Sequence, residues 1–169
     1  MAKVGRPNMQ VINSIDLDDI PKILPLLSLP EQEQLLAELE KLERLKSQQQ
    51  CRDKFMAFVG EVWPTFIGGR HHAKMAEAFE RVARGELKRL IINMPPRHTK
   101  SEFASYLLPA WFLGKFPQKK VIQTSHTAEL AVGFGRKVRN LVDTDTYHQI
   151  IGRAMRIGRK GPLTVHILE

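Results

Sequence analysis

The sequence predicts an α/β fold: a parallel sheet flanked by helices, preceded by a helical N-terminal extension. Three observations carry this. Leu90–Met94 and Lys120–Thr124 are short apolar runs containing β-branched residues, the composition of buried strands. From Leu90 onward such runs alternate with helical patterns in the order strand, helix, strand, helix, which a parallel sheet with crossover helices produces. Before them, residues 31–46 are rich in strong helix formers. The expected division is a helical extension over 1–50, an α/β unit over 51–150 and a basic tail over 151–169.

Composition sets the outer limits. At 169 residues the chain has room for one ordinary domain. Apolar residues make up 43% and charged residues 26%, which argues against wholesale disorder. No apolar run approaches the ~18–20 residues needed to span a bilayer, so no membrane role is expected. Met1–Asn13 shows no apolar signal segment, and the single cysteine, Cys51, excludes an internal disulfide framework. A cytoplasmic location follows as an expectation. Residues 1–50 hold six basic and eight acidic groups, so all of the net charge of +8 arises after them. That excess suits a polyanionic partner, and it equally serves solubility.

The elements follow in order. Pro7, Pro21, Pro25 and Pro30 interrupt the first thirty residues, leaving at most a short helix over Asp16–Leu27. From Glu31 to Lys46 a helix is expected, with Ser28 as its cap and a stripe of Leu35, Leu39, Leu42 and Leu45. The stripe fits a docking face; a solvated or internally packed helix is slightly favoured because the seam covers too few heptads for a coiled coil. A helix over Phe55–Trp63 ends at Pro64, and one over His72–Arg84 stops at Gly85. Ser101–Phe112 is helical, with Pro109 as a kink. Ala128–Val142 presents Leu130, Phe134, Val138 and Leu141 on one side, and Leu163–Leu168 has the pattern of an edge strand.

The segment richest in chemistry is Met94-Pro95-Pro96-Arg97-His98-Thr99-Lys100-Ser101. It lies between an expected strand and a helix. A phosphate-binding loop occupies that setting, with the pattern G-x-x-x-x-G-K-[ST]. Lys100 and Ser101 fit; Met94 and Thr99 stand where the pattern has glycine. In such a loop the backbone amides and the positive helix end hold phosphate, the lysine reaches the β- and γ-phosphates, and the serine ligates Mg²⁺. From the residues alone, a phosphate loop and a proline-rich loop before an ordinary helix remain alternatives.

Ile91-Ile-Asn-Met-Pro-Pro-Arg-His-Thr-Lys-Ser101 resembles the variant Walker A segment of tailed-bacteriophage terminase large subunits. The resemblance takes in Val62–Phe66, His71-His72, Arg81–Glu86, Tyr106–Gly114, Lys120–Ser125 and Gly135–Arg139, and spans roughly Phe55–Ile150. It implies a P-loop NTPase: the N-terminal part of the ATPase domain of a motor that packages double-stranded DNA into capsids. It also implies ATP and Mg²⁺ as cofactors, a terminase small subunit and a portal as partners, and the host cytoplasm as location. By the resemblance Pro95, Pro96, Arg97, His98, Thr99, Lys100 and Ser101 surround the nucleotide. Lys100 holds the β,γ-phosphates, Ser101 the Mg²⁺, and Arg97 is placed to stabilise the transferring phosphoryl group. His72 stands near where related motors use a glutamine against adenine. Thr99 replaces the family's usual glycine, and a β-branched residue tolerates positive φ poorly.

Two features of the family are missing. No run of four apolar residues followed by Asp-Glu occurs; Leu141–Asp145 comes closest but ends a helix. The nuclease carboxylates are absent as well. Ile151–Pro162 is basic and glycine-rich, unlike the family's continuation, and fits either a divergent tail or the out-of-frame end of a truncated gene. Such a chain is expected to be inactive alone. The alternative is a non-catalytic basic module that binds DNA or a packaging partner.

Overall fold

A computed structural model of the chain describes residues 27–151. The short helix expected over Asp16–Leu27, the basic run Ile151–Pro162 and the edge strand Leu163–Leu168 lie largely or wholly outside the described residues. The chain divides into two compact units, residues 1–44 and 45–169.

Helix α1 spans Leu29–Asp53. Ser28 stands just before its first residue, and its amide and hydroxyl both donate to the Glu31 carboxylate, at 2.9 and 2.6 Å. That is the return half of a capping box, with the acidic group also facing the positive helix end. Within residues 27–44, Leu35 and Leu39 are half-buried whereas Leu36 and Leu42 are exposed. The expected stripe is therefore a narrow seam on a largely solvated helix.

Among the described residues of the second unit, α1 ends and five further α-helices follow. These are α2 (Phe55–Val62), α3 (Arg70–Ala83), α4 (Leu108–Lys115), α5 (Ala128–Val142) and α6 (Asp145–Ile151). Apolar spacing and end signals account for them. Gly85 takes φ 78°, and closes α3 with bonds from the Glu86 amide to the Arg81 carbonyl and from the Gly85 amide to the Val82 carbonyl. This pattern satisfies carbonyls that the helix end would otherwise strand.

The core gathers around Phe55, which is fully buried and meets Phe79, Phe103 and Trp111 edge-on at centroid distances of 5.2, 5.5 and 5.5 Å. Helix ends are tied across it. Trp111 Nε1 donates to the Cys51 carbonyl at 2.8 Å, and Lys115 Nζ to the Arg52 carbonyl at 3.2 Å. In turn Gln48 Nε2 and Arg52 Nε donate to the carbonyls of Gln149 and Ile151 at the end of α6. Gly114 sits where a Cβ would meet Tyr147 Oη and Ile151 Cδ1, each at 2.9 Å. Alanine there gains about 1 kcal/mol of helix propensity. Overpacking costs about 1–3 kcal/mol and outweighs it. Gly114→Ala is expected to lower the urea midpoint; an unchanged or raised midpoint would contradict the packing.

The expected parallel sheet is not present among the described residues, and the P-loop NTPase fold class is corrected there to a helical one. Among the described residues there is no strand; Leu90–Met94 and Lys120–Thr124 are neither helical nor paired. The physical reason lies in their faces. Ile92, Met94 and Val121 pack against the core, but Ile91 is 86% and Ile122 63% exposed. Parallel strands are stable when both faces are covered, and here each run is covered on one.

Two further expectations are corrected. Pro109 does more than kink its helix. It lacks the amide that the Ser105 carbonyl, four residues earlier, would accept from in an α-helix. The helix that begins at Lys100 widens to π geometry over Glu102–Leu107 just before it, and Gln123 Nε2 donates to the Ser105 carbonyl. The buried seam of α5 is Ala131, Gly135, Val138 and Val142, not the line through Leu130 and Phe134. Small residues at 131 and 135 allow close approach, and Leu130 is left exposed.

Candidate functional site

The loop from Met94 to Thr99 ends in a helix whose first residue is Lys100. Two residues in it hold positive φ: Arg97 at 64° and Thr99 at 56°. Left-handed backbone costs a non-glycine residue roughly 1–2 kcal/mol, so both must be held by something. Thr99 is the residue whose position called for glycine. It takes the backbone angle that a glycine would adopt freely.

The side chains around the loop fall into three groups. Lys100 folds back across the loop, its Nζ donating to the Met94 carbonyl at 3.2 Å. Ser101, Pro95, Pro96, Arg97 and His98 are exposed, and the His98 ring contacts the Pro96 carbonyl at 2.9 Å. His72 lies beneath, at 6% exposure. Its Nδ1 accepts from the Gly69 amide at 2.9 Å and its Nε2 lies 2.6 Å from Thr99 Oγ1. Thr99 Oγ1 also donates to the His98 carbonyl at 2.7 Å. The His72 ring is flanked by Phe66 and Phe103 at 4.8 and 5.0 Å, and the exposed His71 ring lies 3.8 Å away.

The charge pattern at the helix start is basic. Burial first, then the neighbouring His71 and His98, holds the His72 pKa below its usual 6.5, so the ring is neutral at pH 7. The nearest acidic residue in sequence, Glu102, is paired with Lys137 at 2.8 Å. Among the described residues no three His, Cys, Asp or Glu side chains converge to hold a metal ion. An open cleft of about 500 Å³ lies elsewhere, lined by Leu108, Pro109, Phe112, Phe134 and the Lys120–Ser125 run; no residue from Met94 to Ser101 lines it.

The structure thus brings Thr99, Lys100 and His72 together around one turn, with Arg97 strained and outward-facing. Sequence reading missed Gly69, Phe66 and Phe103 as the support beneath that turn. A usable signal was there: Gly69-x-x-His72 has the spacing of a capping box, with histidine where glutamate or glutamine is usual. No family model, no curated protein and no solved structure matches the chain.

Proposed function

We propose that the loop Pro95–Ser101 binds the phosphates of ATP, and that the chain is the nucleotide-binding part of a terminase-like DNA-packaging motor. The observation that carries this reading is the loop itself. Two left-handed residues turn the backbone into a helix start, and the first helical residue is a lysine lying across the turn. Such a turn presents amides and positive dipole to an anion, and Lys100 adds a formal charge. The reading rests on the loop and its helix alone, with no sheet behind them.

The residues fit a triphosphate better than a free cation. Lys100 leaves the Met94 carbonyl for the β,γ-phosphates, and exposed Arg97 lies within the loop to meet phosphate oxygens bidentately. The Ser101 hydroxyl would help hold the Mg²⁺ bound to the nucleotide, and ATP would supply the phosphoanhydride chemistry. A packaging role also implies contact with double-stranded DNA, a small subunit and a portal, and exposed Lys119, Lys120, Arg136 and Arg139 supply basic surface for a polyanion.

Lys100→Ala is expected to weaken Mg-ATP binding about 10–100-fold, since a charged hydrogen bond is worth about 1.5–3 kcal/mol. Calorimetric titration of both proteins is the check. Equal affinities would remove the phosphate-loop role and leave the basic-module reading, whose own mark is DNA binding indifferent to Lys100.

A further inference from the structure

We propose that His72 is a positioning residue: it clamps Thr99 in the left-handed conformation that glycine would adopt unaided, and so sets Lys100 and Ser101 at the mouth of the loop. The proposal rests on the reading of that loop as the ATP site. It assigns His72 a role inside the fold instead of against the base of the nucleotide.

The hydrogen bonds fix the direction of each proton. The Gly69 amide can only donate, so His72 Nδ1 must be the bare nitrogen and the ring proton sits on Nε2. Nε2–H then donates to Thr99 Oγ1, whose own proton goes to the His98 carbonyl. One neutral tautomer satisfies all three bonds. Both ring nitrogens are used within the chain, and Phe66 and Phe103 flank the ring on the first turn of α3. Thr99 needs such an anchor because its side chain opposes φ 56°. A threonine at this place is therefore workable where its hydroxyl has a fixed partner.

Protonation would undo the arrangement. An imidazolium carries a proton on each nitrogen, so Nδ1 would face the Gly69 amide donor to donor. The titratable groups facing His72 are His71 on α3 and His98 on the loop. The segment carrying Phe66 and the helix carrying Phe103 offer aromatic rings there, and Lys100 turns to Met94. Burial comes first, and charge on His71 or His98 adds to it, in opposing the charged form. For a histidine depressed below 6.5 when folded, the contribution is complete above that value. It is lost as pH falls through the lower folded value.

The experiment compares the parent chain, His72→Ala, Thr99→Gly and the double variant, by Mg-ATP titration at pH 7.5 and at steps down to pH 5. His72→Ala is expected to weaken ATP about tenfold in the parent and less than about twofold in the Thr99→Gly background, because glycine needs no clamp. The parent is expected to lose affinity on acidification more steeply than Thr99→Gly; that comparison cancels the titration of the nucleotide and needs no change at His72. Equal losses from His72→Ala in both backgrounds, or parallel pH profiles, would overturn the clamp. Nitrogen-15 NMR of the histidine rings and of the Thr99 and Lys100 amides, without nucleotide, separates the two claims. Amides that move with His72 titration in the parent, in a protein that binds no ATP, would keep the clamp and refute the ATP site. Amides indifferent to His72 refute the clamp alone.

Discussion

Phe55→Ala is expected to cost the second unit about 3–5 kcal/mol, the usual range for deleting a buried aromatic ring. Phe55 is the shared partner of three edge-on contacts, to Phe79, Phe103 and Trp111, so one truncation strips a neighbour from α3, from the π segment and from α4 together. A single domain is stable by about 5–15 kcal/mol in all. The loss therefore removes a large part of the margin, and near-ultraviolet dichroism should show Trp111 losing its fixed environment before helix content falls. Phe55→Leu, which keeps volume better, should cost less. A full-sized cooperative transition in the alanine variant, at the parent midpoint, would mean that the packing around Phe55 is not as described.

The second large effect is on turnover. Incubated with ATP and Mg²⁺, the chain alone is expected to release phosphate orders of magnitude more slowly than the ~1–10³ per second of ordinary enzymes. Phosphoryl transfer needs metal, attacking water and developing charge positioned together. Lys100, Ser101 and Arg97 supply part of that set. Among the described residues, the acidic group closest in sequence is Glu102, and Lys137 holds its carboxylate at 2.8 Å. That ion pair engages its Oε1, and no other acidic residue lies between Glu86 and Glu129 in the sequence. Phosphate release near one per second from protein freed of host ATPases, unaffected by Lys137→Ala or Glu102→Gln, would place a catalytic carboxylate elsewhere in the chain.

Helices were legible because their signals are local. The existence of the helix Ala128–Val142 follows from a 3.6-residue apolar period, although its buried seam is shifted from the expected line, and the Gly85 stop follows from the ease with which glycine takes positive φ. Ser28 was legible as a cap for the same reason. The strands were not, because a strand is defined by its neighbour. Leu90–Met94 has the composition of a buried strand, yet whether a second backbone lies beside it is decided far away in sequence. The π segment was missed by one step of inference. By local pattern Pro109 predicts a kink in its own helix, whereas its effect falls on the carbonyl four residues earlier and is relieved by Gln123 from another segment. In the site, Thr99 was singled out as a misfit for positive φ, and it does hold that angle. The buried ring that meets it comes from 27 residues upstream, beyond any local pattern.

The exchange of carbonyl partners among the ends of α1, α4 and α6 has a consequence for how long each part of α1 stays folded. Residues 48–52 give and receive hydrogen bonds with Trp111, Lys115, Gln149 and Ile151, so they open only when the surrounding core opens. Residues 29–44 have a capped start, a thin leucine seam and exposed flanks. Isolated helices of such length are marginal in water. The end of α1 over residues 48–52 is thus expected to exchange its amides last in that helix, together with the core.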